Sequence, residues 1–422
     1  MANILIVHAQ ATYPVRTTSW DNLYCFRRYS GHKCYYLNLA FNKAPRYLKY
    51  IDFDLIIFHD LFVCARWAGK ARFDKLMQRA EVLKGINIPK VVLPQDEFIF
   101  TDLLCDFINE FGISHVFSVS PSSEWRLIYD KVNFDSVKFH PVLTGYLDEK
   151  TVAKINLLSE GASSDRSIDI GYRARYHNPW IGRHGMLKST IGDVFAAEGA
   201  RRGLRNDISM KEEDAFIGDD WYRFLLNCKY TIGVEGGASI LDRDGSIMER
   251  TERYLKGNPE ASFEQVEAAC FPGRDGELKL FAISPRHLEA CATRTCQILI
   301  EGSYNDILKP GEHYIELKAD FSNLEQVLDQ VVRDDVRQAM TDHAYADIVS
   351  SGRYNYQSYV DFIIDHSLSD QDQHGSSPIW YSIMRIAEII SWGKAAVFAK
   401  SVNKAKQLFP QPLIDWLKKL RN

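Results

Sequence analysis

The stretch that decides the fold is residues 278–289, which reads Leu-Lys-Leu-Phe-Ala-Ile-Ser-Pro-Arg-His-Leu-Glu. Its first five residues, 278–282, predict a short strand. Ser284 is a favourable N-cap residue and Pro285 suits the first position of a helix, so a helix should begin almost directly after that strand. Strand and helix in immediate succession form the repeating unit of a parallel sheet covered by helices.

The same alternation continues outward on both sides. It predicts helices at 72–83 and 103–111, and a further helix whose capping box pairs Ser322 with Glu325. Because parallel strands need crossover connections, the predicted fold class is α/β, with two Rossmann-like, doubly wound domains facing a cleft, plus C-terminal helices. The predicted strands are 4–8, 33–37, 54–58, 90–93 and 115–119 in the first half and 167–172, 230–234, 278–282, 297–300 and 313–317 in the second.

The length of 422 residues fits this organisation, since it predicts two or three domains. The polar, small-residue stretch around 160–165 is the best interdomain linker. We expect a first domain at 1–150, a second at 166–350, a helix at 351–366 that returns to the first domain, and a basic amphipathic helical tail at 379–422.

Composition excludes several classes of protein. Lys and Arg number 51 against 55 Asp and Glu, a net charge of −4 that leaves no basic excess for a nucleic-acid binder. No apolar run reaches the roughly 18 residues of a membrane span, and the N-terminus lacks the features of a signal peptide. The eight cysteines form neither a CxxC pair nor a zinc pattern. We therefore expect a cytoplasmic protein without metal, cofactor or nucleic-acid partner.

The tail from residue 379 onward is strongly basic. A basic amphipathic tail could lie on an anionic membrane surface, at the inner face of the cytoplasmic membrane. It could equally pack on the first domain with its lysines in solvent. Only Glu388 and Asp415 oppose the basic residues of this tail, which are Arg385, Lys394, Lys400, Lys404, Lys406, Lys418, Lys419 and Arg421.

The helix that starts after Ser284 predicts an anion-binding site. Free N–H groups and the positive end of the helix dipole would point into the cleft, where they suit a diphosphate or phosphodiester. Arg286 and His287 in its first turn oppose the dipole, so an anionic ligand explains them better than helix stability does. Glu289 lies just beyond and can accept hydrogen bonds from a ribose or sugar diol.

Two further stretches in the second half carry candidate side chains. The strand 230–234 runs into Glu235-Gly236-Gly237, where glycine allows a ligand to approach the backbone closely. Asp242 and Asp244 follow in an Asp-x-Asp-Gly arrangement that could bind a divalent cation, act as base or nucleophile, or simply fix a turn. Arg173 and Arg175 end another strand and are natural partners for phosphate or carboxylate.

In the first domain, polar residues follow several predicted strands and could face an acceptor substrate. A lone histidine at a strand end is more often structural, so each of these residues is a weak signal by itself. The candidates are His8, the pair His59-Asp60, Asp96, Glu97 and His140.

Two segments give the chain a family resemblance. One runs from Arg286 through Glu289 to Gly302 and continues at 304–315 and 320–323, and the other runs from Trp221 to Gly245. Both resemble the C-terminal half of bacterial GT-B glycosyltransferases of the group 1, family-4-like kind, a subset of which serves surface polysaccharides. The match covers about residues 169–360, and the first domain matches only in architecture.

The resemblance implies that the second domain holds a nucleotide-sugar donor and the first an acceptor. Glu289 resembles the family glutamate at the nucleotide ribose, and Arg286 the basic residue near the donor phosphates. The usual partner glutamate is replaced by the segment Phe281-Ala-Ile-Ser. That departure keeps open a relation to GT-B transferases of 3-deoxy-octulosonic acid (Kdo), which use a CMP-linked donor.

We therefore expect a metal-independent glycosyltransferase that acts on a glycan or lipid-linked acceptor in bacterial surface polysaccharide synthesis, including lipopolysaccharide. A Kdo transferase, a GT-B-fold nucleotide-sugar epimerase and a noncatalytic scaffold of a polysaccharide complex are the alternatives. The expected catalytic residues are Asp242, His287 and Glu235, and the expected donor-binding residues are Arg173, Arg175, Gly236, Gly237, Ser284, Arg286, Glu289 and Tyr304.

Overall fold

A computed structural model describes residues 1–161, 165–331, 333–368 and 377–408. Residues 162–164 of the expected linker, the polar stretch 369–376 and the part of the basic tail after residue 408 lie outside the described residues. Within those residues, no helix is long and apolar enough to cross a membrane. The eight cysteines are free thiols.

The first sheet has six parallel strands in the order β2-β1-β3-β4-β5-β6. Its central strands are buried runs of Ile, Leu, Val and Phe, as expected for a sheet covered by helices on both faces. The strands are β1 (Asn3–His8), β2 (Lys33–Asn38), β3 (Leu55–Phe58), β4 (Lys90–Val92), β5 (His115–Ser118) and β6 (Lys138–Pro141).

The second sheet has five parallel strands in the order β13-β12-β9-β7-β8. A separate antiparallel ribbon pairs β10 with β11. The strands are β7 (Ile168–Arg173), β8 (Asn206–Ser209), β9 (Cys228–Gly233), β10 (Gly236–Ala238), β11 (Leu280–Ala282), β12 (Cys296–Ile300) and β13 (Tyr314–Leu317). The two sheets confirm the predicted fold class of two doubly wound α/β domains.

Helices connect the strands and cover both sheets. They are α1 (Thr17–Tyr29), α2 (Asp60–Val63), α3 (Lys70–Ala80), α4 (Thr101–Phe111), α5 (Trp125–Ile128), α6 (Glu149–Glu160), α7 (Arg183–Arg201), α8 (Asp219–Asn227), α9 (Ser246–Gly257), α10 (Phe263–Cys270), α11 (Pro285–Ala292), α12 (Leu324–Gln330), α13 (Asp334–Ala344), α14 (Tyr356–Ser367) and α15 (Pro378–Leu408).

Three details differ from the sequence-based expectations. The strand predicted at 278–282 belongs to the ribbon, not to the second parallel sheet. The short, polar edge strands β6 and β8 carry too weak an apolar signal to be predicted. The capping box expected at Ser322 is absent: Asn323 precedes α12, and its Oδ1 accepts the N–H of Lys318 instead.

The ribbon and its helices α9 and α10 tie the second half of the chain to the first domain. Asp242 pairs with the first domain through its backbone, donating to the Phe98 carbonyl at 2.7 Å and accepting from the Phe100 N–H at 2.7 Å. Apolar side chains of this insertion share one buried cluster with the first sheet, among them Ile240 and Leu278. The insertion therefore fixes one side of the cleft to the first domain.

The C-terminal helices also lie on the first domain. Helix α14 packs against α1, and α15 packs along β2. Glu388 of α15 is buried, forms a salt bridge with Arg27 at 2.7 Å and accepts a hydrogen bond from Tyr24. Since the chain leaves the second sheet and then covers the first, the two domains are joined at both ends.

Candidate active site

The start of α11 lies at the boundary between the two sheets. Thr144, which follows the first sheet, donates its hydroxyl to the Ile283 carbonyl at 2.5 Å. A Cβ added to Gly145 would lie 2.7 Å from Pro285 Cγ, so only glycine allows this approach. Ser284 and Pro285 are half-buried and Arg286 is exposed. The predicted anion-binding turn therefore faces the junction of the two domains.

Three cations gather beside this turn. Arg286 donates to the Arg173 carbonyl and stands 5.4 Å over the Trp221 ring. Arg175 is exposed in the segment after β7, and Lys188 projects from α7. Desolvation and the charges of Arg286 and Arg175 lower the pKa of Lys188, whereas Asp96 raises it. None of the three cations has a carboxylate within 4.0 Å among the described residues, so their charge is open to an anion.

Three histidines next to the cations remain neutral. Burial lowers the pKa of His177 and of His184 to about 4, and that of His287 to about 3, with Lys188 the next cause in each case. Nδ1 of His287 accepts the N–H of Ser284 at 3.0 Å, which places the ring proton on Nε2. An imidazole of that pKa is a poor general acid near neutral pH, so His287 fixes the helix start.

The Glu235 carboxylate is hydrogen-bonded to the backbone N–H of Tyr304. Glu235 is buried, and its Oε1 accepts from the Tyr304 N–H at 2.7 Å and from the Ser303 hydroxyl at 3.2 Å. Burial raises the pKa of Glu235. The Tyr304 ring is fully buried, and its hydroxyl donates to the Ile300 carbonyl. Tyr304 therefore contributes its backbone N–H to the site, by holding Glu235, while its side chain packs in the core.

Residues 304–306 have three successive positive φ angles, of 46°, 54° and 57°. Non-glycine residues adopt this left-handed conformation rarely and at an energetic cost. This conformation places Asn305 Oδ1 where it accepts the Ile283 N–H at 2.7 Å, one residue before Ser284. The same strained turn thus positions both Glu235 and the entry to α11.

Glu289 lies on the side of α11 that faces α8. Its Oε2 accepts from Trp221 Nε1 at 2.8 Å. Burial raises the pKa of Glu289 to about 7, against the opposing effects of that hydrogen bond and of Arg286. A largely buried carboxylate beside an indole and a guanidinium can accept hydrogen bonds from a diol.

The two ribbon glycines contribute to the backbone. Gly237 has a φ of +117°, and a Cβ there would lie 1.8 Å from the Leu280 carbonyl oxygen. Gly236 pairs with Ala282 and would tolerate a Cβ at 3.5 Å. Gly237 is therefore required by the close pairing of β10 and β11, a sufficient reason for glycine without any ligand.

Arg173 faces away from the three cations. Its guanidinium forms a salt bridge with Asp207 at 2.7 Å and donates to the backbone carbonyls of Asp207 and Asp214. It also stands over the rings of Phe216 and Phe224. These partners fix the edge of the sheet near β8, so only the Arg173 carbonyl, through Arg286, contributes to the expected phosphate site.

Asp242 has the surroundings of a turn residue. It is buried, and its carboxylate accepts the N–H groups of Gly245, Ile247 and Met248 at 3.0, 3.3 and 2.9 Å. Asp244 accepts the Ser246 N–H at 3.0 Å. Both carboxylates therefore satisfy the start of α9. Among the described residues, no group of three His, Cys, Asp or Glu is placed to hold a metal ion.

On the first domain, Asp96 is the expected acceptor residue that faces the cations. Its side chain is exposed, and desolvation by the surrounding protein raises its pKa against the charges of Arg66, Lys188 and Arg175. Asp96 adopts a positive φ of 53°. Buried Arg66 fixes this backbone by donating to the Asp96 carbonyl at 2.8 Å.

Three further residues expected at the acceptor, Glu97, His8 and His140, point into the first domain. Glu97 is fully buried and accepts from Ser118 and Tyr129 and from backbone N–H groups. His8 is fully buried and stacks on Trp392 of α15. His140 stacks on His115, 3.0 Å apart between ring nitrogens, under α14. These contacts account for all three residues structurally.

Lys188 is the residue that the sequence analysis missed. It lies within α7, a helix of mostly small and polar residues, where a lysine is ordinarily a solvated side chain. Only the packing of α7 against β8, β9 and β10 brings it near Arg175 and Arg286. The neighbouring Arg183-His184 pair was visible in the sequence, but it does not identify which basic residue faces the cleft.

No family model and no curated protein matches the chain. It is similar to solved structures at low sequence identity. HepE from Anabaena in complex with UDP and glucose has 10% identity and a TM-score of 0.46, over 87% of this chain and 99% of that one. An alpha-glucosyltransferase with UDP-glucose and DNA containing an abasic site has 11% identity and a TM-score of 0.49, over 86% and 98%. TarM has 9% identity and a TM-score of 0.42, over 74% and 54%. At this level, the roles of residues have to be argued from the geometry.

Proposed function

We propose that the chain is a GT-B-type glycosyltransferase. Its second domain would hold a nucleoside-diphosphate sugar and its first domain an acceptor hydroxyl. The observation that carries the proposal is the group of three cations, Arg175, Lys188 and Arg286, without a carboxylate partner beside the start of α11 and opposite Asp96. The resemblance of the sequence to polysaccharide-associated transferases supports a glycan or lipid-linked acceptor.

The three cations suit the charge of a diphosphate. Charge-assisted hydrogen bonds to phosphate oxygens are strong, and the positive end of the α11 dipole adds to the field of the three cations. The N–H groups of Ser284 and His287 are engaged within the cap itself, so the side-chain cations would make the contacts to the phosphates. The same groups would stabilise the negative charge that accumulates on the leaving diphosphate in the transition state. This proposal needs no metal ion, because cations of the chain itself perform the neutralisation. Glu289, oriented by Trp221, would accept hydrogen bonds from the ribose hydroxyls.

Asp96 is the best placed group for the acceptor. In transfer, the acceptor oxygen bonds to the anomeric carbon while the bond from that carbon to the diphosphate breaks. The acceptor loses a proton in this step, and a carboxylate of raised pKa is a stronger base for it. Asp96 faces the cations from the first domain, so it would receive that proton on the side opposite the leaving group. Asp96 thereby takes the general-base role that the sequence suggested for Asp242.

Glu235 would act on the donor sugar through position rather than proton transfer. The pairing of Gly236 with Ala282 brings Glu235 next to Ile283. This is the segment where the resembled family carries its partner glutamate and where this chain has Phe281-Ala-Ile-Ser. We infer that Glu235 supplies a carboxylate from the neighbouring strand and holds the turn at Tyr304 in place.

The donor class can be tested by thermal shift with UDP-, GDP-, dTDP- and CMP-sugars. A ligand that binds only the native state raises its melting temperature by mass action. We expect a nucleoside-diphosphate sugar to raise it, and Arg286→Ala to abolish the shift while Lys211→Ala, an exposed lysine of the same domain, retains it. A shift with the CMP-sugar alone would favour the Kdo transferase. Epimerised donor without acceptor would favour an epimerase, and no shift at all would contradict donor binding.

The general-base role is tested by Asp96→Asn. We expect transfer to fall roughly 100-fold or more, since general-base catalysis contributes 10²–10⁴-fold, with the donor-induced thermal shift preserved. Asp52→Asn, an exposed aspartate of the same domain, is the matched control. Near-normal transfer by Asp96→Asn would remove the role, and loss of the thermal shift would show that Asp96 acts in closing the domains around the donor.

A further inference from the structure

The outward face of α15 carries a stripe of large aliphatic side chains. Ile379, Ile383, Ile386, Ile390 and Val397 lie at spacings of three, four or seven residues, which places them on one face of the helix. With Ile389 beside them, their exposed fractions range from 37% to 70%. Seven other large hydrophobic residues are exposed among the described residues, but they are scattered over the surface.

This face cannot turn inward, because the opposite face of α15 is fully engaged. Tyr381 packs against Tyr35, Met384 is buried, and Glu388 is held by Arg27 and Tyr24. Trp392 donates to the Tyr24 hydroxyl at 2.7 Å. The anchoring contacts therefore fix the isoleucine stripe in the solvent, where exposed contiguous apolar surface usually marks an interaction site.

The exposed charges along the same helix are all positive among the described side chains. Glu388 is the only carboxylate residue of α15, and it is buried on the inner face. Exposed Lys400 and Lys404 continue the outward face beyond the isoleucines, and exposed Lys394 lies at its edge, where its ammonium donates to Asn42 Oδ1 at 3.3 Å. Lysines gain from contact with a negatively charged surface, whereas a second copy of this face would offer them like charges.

We propose that the outer face of α15 binds an anionic lipid bilayer surface. The isoleucines would enter the boundary between headgroups and acyl chains, and the lysines would reach the lipid phosphates. Helix α15 would lie in the plane of the membrane without crossing it. The first domain, whose β2 carries α15, would then stand next to the bilayer. This inference rests on exposed residues of α15 and is independent of the proposed enzymatic activity.

Vesicle flotation tests the proposal with the full chain. We expect the protein to float with vesicles of phosphatidylcholine mixed with phosphatidylglycerol, and far less with phosphatidylcholine alone. The triple variant Ile383→Ser/Ile386→Ser/Ile390→Ser should lower partitioning at least roughly tenfold. The charge variant Lys394→Glu/Lys400→Glu should remove the preference for phosphatidylglycerol. Leu157→Ser/Ile217→Ser, which alters exposed aliphatic residues elsewhere, should bind like the wild type.

Two controls distinguish membrane binding from misfolding and from self-association. The melting temperature of each variant, with and without a donor sugar, reports folding and the donor site, and we expect both to be unchanged. Light scattering reports self-association: a wild-type dimer that the triple variant dissociates, without vesicle binding, would show that a second copy covers the stripe. Wild-type protein that fails to float, or variants that float equally well, would overturn the proposal.

Discussion

The two parallel sheets end at the same junction, yet they present opposite chemistry to it. On the second domain, Arg175, Lys188 and Arg286 surround the start of α11, and three nearby histidines are held neutral. On the first domain, Asp96 faces this group. Under the proposed function, the two doubly wound domains are therefore specialised differently: the edge of the second would bind a polyanionic donor, and the edge of the first would supply a proton acceptor.

A smaller contrast lies inside one stretch of sequence. Arg173 and Arg175 are two residues apart, but Arg173 is bound to Asp207 and to carbonyls at the sheet edge, whereas Arg175 is exposed beyond the end of β7. The first arginine is therefore structural and the second is available. Arg173 is the last residue of β7 and Arg175 lies beyond it. The end of the strand therefore determines which arginine is available to a ligand.

Among Lys188, Asp242 and Glu289, the largest effect of a substitution is expected at Lys188. Replacing it with Ala removes a charged phosphate partner, which is worth roughly 2–3 kcal/mol, and so should weaken donor binding roughly 30- to 150-fold. Calorimetry with the sugar nucleotide that gives the greatest thermal shift measures this loss. Lys211→Ala should bind normally, and an unchanged affinity in Lys188→Ala would break the contrast between the two domain edges.

The overall architecture could be predicted because it depends on buried apolar strands, which the sequence displays directly. Strands β1 to β5 were located from runs such as that at 54–58. The site was harder, since strand-end residues look alike in a sequence whether they point into the core or into the cleft. Glu97 and Asp96 are adjacent, yet Glu97 is buried and accepts a hydrogen bond from Tyr129, and only Asp96 faces the other domain.

Residues brought in by tertiary packing could not be predicted at all. Lys188 reaches the cations only through the placement of α7, and Glu235 meets the entry to α11 only through the register of β10 with β11. Asp242 shows the opposite case: its Asp-x-Asp-Gly pattern is compatible with catalysis, metal binding or a turn, and only the three backbone N–H groups around it distinguish the last.

A second, smaller effect is expected for Asp242→Asn. Its amide can no longer accept all three N–H groups at the start of α9, and unsatisfied buried polar groups cost about 1–3 kcal/mol. Urea unfolding should show this loss, while transfer per folded molecule stays near normal. Asp244→Asn, at an exposed position with one such N–H partner, should cost well under half as much. Abolished transfer with unchanged stability would instead show that Asp242 has a catalytic role.

The smallest effect concerns Glu289 and its dependence on pH. Burial raises the pKa of this carboxyl from 4.5 to about 7 in the folded protein, so its contribution to stability is fully present below pH 4.5 and is lost as the pH rises through 7. Glu289→Gln cannot ionise and keeps an oxygen for Trp221. Relative to the wild type, its free energy of unfolding should therefore rise by roughly 1 kcal/mol between pH 6 and pH 8. Glu213→Gln, at an exposed position of the same domain, is the matched control for the substitution itself. A flat difference for Glu289→Gln would mean that the carboxylate is already charged at pH 6. In that case the edge of the second domain would hold one negative charge among its cations even before a donor binds, and its contrast with the first domain would be weaker than the geometry implies.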